Sequence, residues 1–377
     1  MAVDSPRVLV VTNDFPPRVG GVQQYVWNLT SRLPPDRVAV LAPNRPGWRA
    51  HDAEQAFAVH RWPSSFLWPT PDLTGRIRSL VRQHRSDVVL FGHGFPLPLA
   101  AGGLDHATPY VALTHGAEVW LARTPALASA MRRGLAGARE VTAVSASTAR
   151  SIRGLLSPGT PLTVVHPGVD EKRFSPGVDG AAVRHRHDLG DRPVVLCVSR
   201  LVPRKGQDVL IRALPMIHKL VPEAALLLAG GGPHLASLRE LAMGSQPGSV
   251  VFVGEVPDAE LPTYYAACNV FAMPCRSRWG GLEVEGFGIV FLEAAAAGKP
   301  VVAGRSGGAE EAVADEVTGL LVEGREPKAV ALAVTRLLLG EAVSRQMGER
   351  GRARVEAEFT WDRQADRLAE ILRRAAG

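Results

Sequence analysis

Residues 192–221 read RPVVLCVSRLVPRKGQDVLIRALPMIHKLV. VVLCV is a short aliphatic run of the kind that fills a strand buried on both faces. SRLVPRKG follows as a polar turn containing Pro203 and Gly206, and QDVLIRALPMIHKLV then places apolar residues at helical spacing. A strand, a turn and a helix in that order form half of a βαβ unit. The rhythm continues downstream in AALLLAGGGP (224–233), SVVFVGEV (249–256), NVFAMP (269–274), the helical VFLEAAAAG (290–298) and KPVVAG (299–304). It also runs upstream in RVLVVTND (7–14), RVAVLAP (37–43), SDVVLFG (86–92), TPYVALTHG (108–116) and EVTAVSAS (140–147). Between the first two of these, VQQYVWNLTSRL sets Val22, Val26, Leu29 and Leu33 on one helical face, and LASAMRRGLAG (127–137) reads as a helix further on. Such alternation predicts α/β architecture with parallel sheets covered on both faces.

The rhythm stops once, at VVHPGVDEKRFSPGVDG (164–180), where proline and glycine recur without apolar periodicity. This marks a boundary between two doubly wound units, 1–167 and 168–358. A chain of 377 residues is long enough for two cores. Ligands of such sheets bind beyond the carboxyl ends of the strands, so both units are expected to aim those ends at a shared cleft.

Bulk properties exclude several classes. No apolar run reaches the ~20 residues that span a bilayer, and the opening residues do not read as a signal peptide, so a cytoplasmic protein is expected. Cys197, Cys268 and Cys275 have no metal-ligand or disulfide spacing. The first 167 residues carry 17 arginines, no lysine and 10 acidic residues, a charge of +7, which leaves −1 for the rest of a chain of net +6. A solvated arginine-rich surface explains this, as does attraction to an anionic membrane surface. No nucleic-acid-binding signature accompanies the charge.

Four segments carry candidate chemistry. Gly20 and Gly21 follow Asp14 in the loop after the first strand; they can admit a ligand to backbone amides or simply make a turn. Arg200 and Lys205, beside Gly206, put two cations at a strand-to-helix turn, a pattern suited to a diphosphate or to a solvated loop. In GGLEVEGFGIVFLEAAAAGKPVVAG (280–304), Glu285 lies in a glycine-rich loop and Glu293 on an apolar helix. The open amides at that helix start suit phosphate and sugar oxygens, and the two carboxylates suit hydroxyls of a polyol. In THGAEVW (114–120), His115 sits at a strand's carboxyl end with Glu118 nearby. No Asp-x-Asp metal pattern occurs, so cations and a helix dipole are expected to hold the diphosphate instead of a metal.

Taken together, the GG loop, the strand-end THG, HPGVD (166–170), SRLVPRKG, LLLAGGGP and the Glu285–Glu293 segment resemble the retaining GT-B glycosyltransferases of family four, in order along nearly the whole chain. TNDFPPRVGGVQQY (12–25), RWPSSFLWPTP (61–71), SRLVPRKGQD and GGLEVEGFGIVFLEA are similar to actinobacterial phosphatidylinositol mannoside mannosyltransferases of the PimB type. The resemblance implies two Rossmann-like domains facing a central cleft, with the final helix (359–377) completing the first. It implies an acceptor-side first domain, with Asp14 and Gln23 toward the acceptor, and a donor-binding second domain. Arg200 and Lys205 would grip the donor diphosphate and Glu293 the ribose. Glu285, with amides of Phe287, Gly288, Ile289 and Val290, would bind the sugar. The GEV turn at Gly254 to Val256 would meet the base through backbone groups, and Gly20 and Gly21 would close over the phosphates. His115 and Glu285 are the catalytic candidates. GDP-mannose is the implied donor, a glycolipid at an anionic membrane the implied acceptor, with no further cofactor. Open alternatives are a GDP- or UDP-sugar transferase with a soluble acceptor, and a sugar-nucleotide epimerase. Asn269, where relatives carry an acidic residue, and the basic loop CRSRWGGLE (275–283) depart from the family pattern.

Overall fold

The computed structural model describes residues 5–377 except 106–107, 117, 119 and 121–123. The chain divides into two compact units, Met1–Gly168 with Trp361–Gly377, and Val169–Thr360.

Among the described residues the first unit holds a seven-stranded sheet in the order β3-β2-β1-β4-β5-β6-β7. Its strands are β1 (Val8–Val11), β2 (Val38–Pro43), β3 (Ala58–Trp62), β4 (Val88–Phe91), β5 (Tyr110–Thr114), β6 (Glu140–Ala143) and β7 (Leu162–Val164). All six pairings are parallel. Strands such as Val8–Val11 are buried at every position, as a sheet covered on both faces requires. The helix Gly21–Thr30 packs Tyr25, Val26 and Leu29 into one core. It ends three residues before Leu33, which reaches the same core from the turn beyond the helix and not from the helical face the sequence pattern assigned it. The helix Trp361–Ala376 joins that core through Trp361, Leu368, Ile371 and Leu372. Polar clamps fasten it: Arg32 Nε lies 2.7 Å from Asp362, and Arg374 Nη2 lies 3.0 Å from the buried Glu140.

The second unit holds a six-stranded sheet in the order β10-β9-β8-β11-β12-β13. Its strands are β8 (Val194–Val198), β9 (Ala225–Ala229), β10 (Val250–Gly254), β11 (Val270–Met273), β12 (Val301–Gly304) and β13 (Gly319–Val322). These pairings are parallel too. Asn269 ties the starts of the two central strands: its Oδ1 accepts from Val194 N at 2.8 Å and from Arg184 Nη2 at 3.1 Å. The amide at this departure from the family pattern thus serves the sheet at the end opposite the strand-to-helix loops.

Strand order reverses once in each sheet, between β1 and β4 in the first and between β8 and β11 in the second. At such a switch point neighbouring loops run to opposite faces and open a crevice at the strands' carboxyl ends.

Candidate functional site

At the first switch point β1 delivers Thr12, Asn13 and Asp14, and β4 delivers Gly92 and His93. Asn13 holds the loop after β3 through both sides of its amide, with Leu67 N donating to Oδ1 at 2.7 Å and Nδ2 donating to Leu67 O at 3.3 Å. Asp14 is held at both carboxylate oxygens: Gln23 Nε2 donates to Oδ1, and His93 Nε2 lies 2.9 Å from Oδ2. Burial alone would raise the Asp14 pKa, but His93, Arg18 and His115 outweigh it and hold the carboxyl below its ordinary value. Any side chain on Gly20 would meet Gln23 Oε1, so the small residue there leaves the Gln23–Asp14 contact room to form.

His115, at the end of β5, stands beside this pair. Its ring meets His93 edge to face at 5.1 Å and Tyr25 at 5.2 Å. Its backbone N and that of Gly116 both donate to Glu118 Oε2 at 2.9 Å. Ring Nε2 lies 2.7 Å from Gly92 O. A carbonyl can only accept, so Nε2 carries the proton and Nδ1 is left as an acceptor. Burial, then the charge of His93, push the His115 pKa down to about 4 against the opposing pull of Glu118, the Gly92 carbonyl and Asp14. His115 is therefore neutral at physiological pH. His93 was not singled out in the sequence. Its one signal is a position directly after a buried strand and glycine.

At the second switch point the loops after β8 and β11 are tied together. Gly206 has φ +80°, and a Cβ there would stand 2.1 Å from Pro274 O, so only glycine permits the approach. Arg276 N donates to Arg204 O at 2.8 Å, and the Arg276 side chain reaches Asp208 at 3.0 Å. Across this seam Glu285 Oε2 accepts from both Lys205 Nζ and Arg204 Nη1, each at 2.7 Å. Burial would raise the Glu285 pKa, but Lys205 and Arg204 reverse the effect and keep it below the usual carboxylate value. Lys205 and Glu285 are thus brought together, with Arg204 as a partner the sequence reading passed over. Arg200 lies apart as an exposed side chain whose backbone carbonyl accepts from Gln207 Nε2 at 2.9 Å.

Gly288 caps the helix Ile289–Ala296 with φ 93°, a left-handed conformation that suits glycine. The opening amides of a helix have no intrahelical acceptor, which is what makes Ile289 and Val290 usable by an anion or a sugar oxygen. The Phe287 side chain is buried against Phe359, so only its backbone can serve. Glu293 is buried on the same helix, and Tyr265 Oη donates to its Oε2 at 2.6 Å. Burial pushes the Glu293 pKa up to about 7, with Asp258 adding to the rise and Tyr265 and Arg173 opposing it. At the end of β10, Gly254 O accepts from Gly230 N at 2.6 Å, and Val256 is half-buried just beyond it. Trp279 is exposed at the tip of the basic loop, its ring 4.6 Å from the Arg278 guanidinium, with the loop closed by Arg278 and Glu283 at 3.1 Å. Among the described residues no group of three or more His, Cys, Asp and Glu is placed to hold a metal ion.

Two doubly wound parallel sheets, each with polar and charged residues gathered at its switch point, constitute a GT-B glycosyltransferase fold. Solved structures share it: Anabaena HepE in complex with UDP and glucose has a TM-score of 0.80 at 20% identity, covering 97% of this chain and 99% of that one. Sucrose-phosphate synthase from Thermosynechococcus elongatus has a TM-score of 0.79 at 23% identity, covering 97% and 98%. The family model Glycosyltransferase Family 4 matches residues 19–173, and Glycosyl transferases group 1 matches residues 182–354. The chain belongs to glycosyltransferase family 4. It is 45% identical over 377 residues to a GDP-mannose-dependent alpha-(1-6)-phosphatidylinositol monomannoside mannosyltransferase of Mycobacterium tuberculosis, covering 97% of this chain and 98% of that protein. A Corynebacterium glutamicum enzyme, named as acting on the monoacylated form of the same lipid, is 39% identical with 98% of each chain covered.

The depressed His115 pKa gives a direct test. Nitrogen-15 NMR of histidine-labelled protein should show one imidazole that stays neutral and protonated at Nε2 from pH 8 down to about 5. Assignment by His115→Gln should remove that signal. Titration of the His115 ring between pH 6 and 7 would contradict the geometry.

Proposed function

We propose that this glycosyltransferase moves mannose, with retention, from GDP-mannose to a phosphatidylinositol mannoside lipid, without a metal ion. The observation that carries the proposal is full-length identity of 39–45% to enzymes named for that donor and acceptor.

On this reading each residue has a role. Lys205, in reach of Glu285, can bridge that carboxylate and the donor diphosphate, and the exposed Arg200 supplies the second cation. Glu285, kept ionised by its two cations, accepts from sugar hydroxyls, while the amides at residues 287–290 face the sugar and phosphate oxygens. The buried Glu293 accepts from the ribose, and the turn at Val256 receives the base. In the first unit Gly20 and Gly21 serve the phosphates, Asp14 and Gln23 orient the acceptor, and neutral His115 contacts the transferring sugar. The bond from the mannose anomeric carbon to the β-phosphate oxygen breaks, and its electron pair leaves with GDP. The acceptor hydroxyl oxygen bonds that carbon on the same face and passes its proton to a phosphate oxygen. The protein's part is positioning and stabilisation of the leaving group's charge.

The lipid acceptor also requires a way onto a membrane. No described helix is long and apolar enough to cross one. Arg132, Arg133, Arg139, Arg150 and Arg153 of the first unit are all exposed. Trp68 and Trp120 are exposed large aromatics of the same unit, of the type found at membrane interfaces. Each basic side chain near an anionic leaflet contributes about 1 kcal/mol, so a few suffice for reversible docking at the membrane's inner face.

With radiolabelled GDP-mannose and phosphatidylinositol monomannoside, label should pass into a lipid-soluble product, and Lys205→Ala and Arg200→Ala should each lower turnover by roughly 10²–10³-fold. No lipid product alongside transfer to a soluble acceptor would overturn the acceptor; full activity in both variants would overturn the diphosphate assignment. In a second test, the protein should co-sediment with anionic vesicles and not with neutral ones, and added salt should release it. Equal binding to both kinds of vesicle, or none to either, would refute docking.

A further inference from the structure

Glu293 is an anomaly in its own helix. The helix reads IVFLEAAA, and Phe291, Leu292, Ala294, Ala295 and Ala296 are buried around the one charged residue. An ionisable carboxyl there is costly unless its oxygens are satisfied. Among the described residues one hydrogen bond is made to it, from Tyr265 Oη to Oε2 at 2.6 Å.

Tyr265 is built to hold that position. It comes from the neighbouring helix Leu261–Ala267 and is fully buried. Its ring is gripped edge-on by Phe174 and tilted against Phe271, both at 5.5 Å between centroids. Phe271 in turn packs edge-on to Phe291 at 6.0 Å, on the helix of Glu293 itself. The phenol thus has little rotational freedom, and burial together with Glu293 holds its proton on well above the ordinary range. It is a fixed donor. The other charges near Glu293 are Asp258 and Arg173, which face each other at 2.7 Å and act on the Glu293 pKa in opposite directions.

We infer that Tyr265 is the positioning residue of the donor site: by occupying Oε2 of Glu293 it fixes the carboxylate so that Oε1 alone receives the ribose hydroxyls of the nucleotide. The inference rests on the reading of Glu293 as the ribose acceptor. Tyr265 itself touches no ligand. Its hydroxyl acts through Glu293 in two ways, by setting the direction of Oε1 and by favouring the ionised carboxylate that accepts best. Removing the hydroxyl while keeping the ring should weaken the ribose contact, leave the aromatic packing in place, and require higher pH for full nucleotide affinity. Loss of a hydrogen bond to a charged group corresponds to roughly a tenfold or greater change in binding.

The test is calorimetric binding of GDP and of 2′,3′-dideoxy-GDP to the wild type, Tyr265→Phe and Glu293→Gln across pH 6–9. The expected result is that Tyr265→Phe binds GDP about tenfold more weakly at pH 7.5. Its affinity should recover only at higher pH than in the wild type, and all three proteins should bind the dideoxy nucleotide alike. If Glu293→Gln loses GDP affinity and Tyr265→Phe does not, the positioning role is overturned and the ribose role of Glu293 stands. If neither variant loses affinity, the ribose role falls and the inference with it. If Tyr265→Phe weakens GDP and the dideoxy nucleotide equally, the effect is one of packing, and the inference is wrong.

Discussion

A carboxylate moved from water into a protein interior is stable only if cations and donors replace its hydration. Glu285 meets that condition by sharing one oxygen between Lys205 and Arg204 at 2.7 Å each. Loss of one partner from such a buried group costs about 3–5 kcal/mol, so the three residues constrain one another strongly. Lys205 and Arg204 come from the loop after β8, and Glu285 from the segment after β11. The cluster therefore locks together the two loops that bound the second unit's switch point. Gly206 against Pro274 O and Arg276 N on Arg204 O tighten the same seam through the backbone. Removing the Glu285 charge would release two cations and loosen the loops that place them.

The first unit meets a similar condition with an amide and imidazoles around its carboxylate. Asp14 is fixed by Gln23 and His93, and His115 is fixed by Gly92 O and by its backbone contact with Glu118. The Gly92–His93 pair after β4 thus anchors one residue from β1 and one from β5. Because His115 is buried beside His93, it is kept neutral, and in the proposed role beside the transferring sugar it would not repel developing positive charge. The two units reach different chemistry from the same topology: one gathers cations around a carboxylate, the other a carboxylate beside neutral imidazole.

Alternation of buried strands and helices is a local property, and it was legible in stretches such as VVLCV and QDVLIRALPMIHKLV. The positions of Lys205 and Glu285 at the ends of such stretches were legible for the same reason. What the linear pattern does not contain is which strands become neighbours. That β1 lies beside β4, and β8 beside β11, is a matter of register and strand order. His93 and Arg204 matter because of those adjacencies, so PRKG does not mark out Arg204 and FGHGF offers for His93 no more than a position after a buried strand and glycine; Tyr265 matters because its helix lies beside that of Glu293, which LPTYYAA does not reveal. The pattern also overextended the first helix to Leu33, since a side chain can enter a core from a turn as well as from a helix. Asn269 stood out as a departure near the base-side strand; its bonds to Val194 N and Arg184 show a sheet-building role that composition could not reveal.

In the proposed mechanism cationic side chains and helix amides of the second unit, and not a divalent ion, neutralise the donor diphosphate. Calorimetric titration of GDP-mannose into the protein in excess EDTA tests it most directly. Affinity equal to that measured with magnesium present, falling as salt rises, is the expected result. Binding that disappears in EDTA and returns only with magnesium or manganese would contradict it.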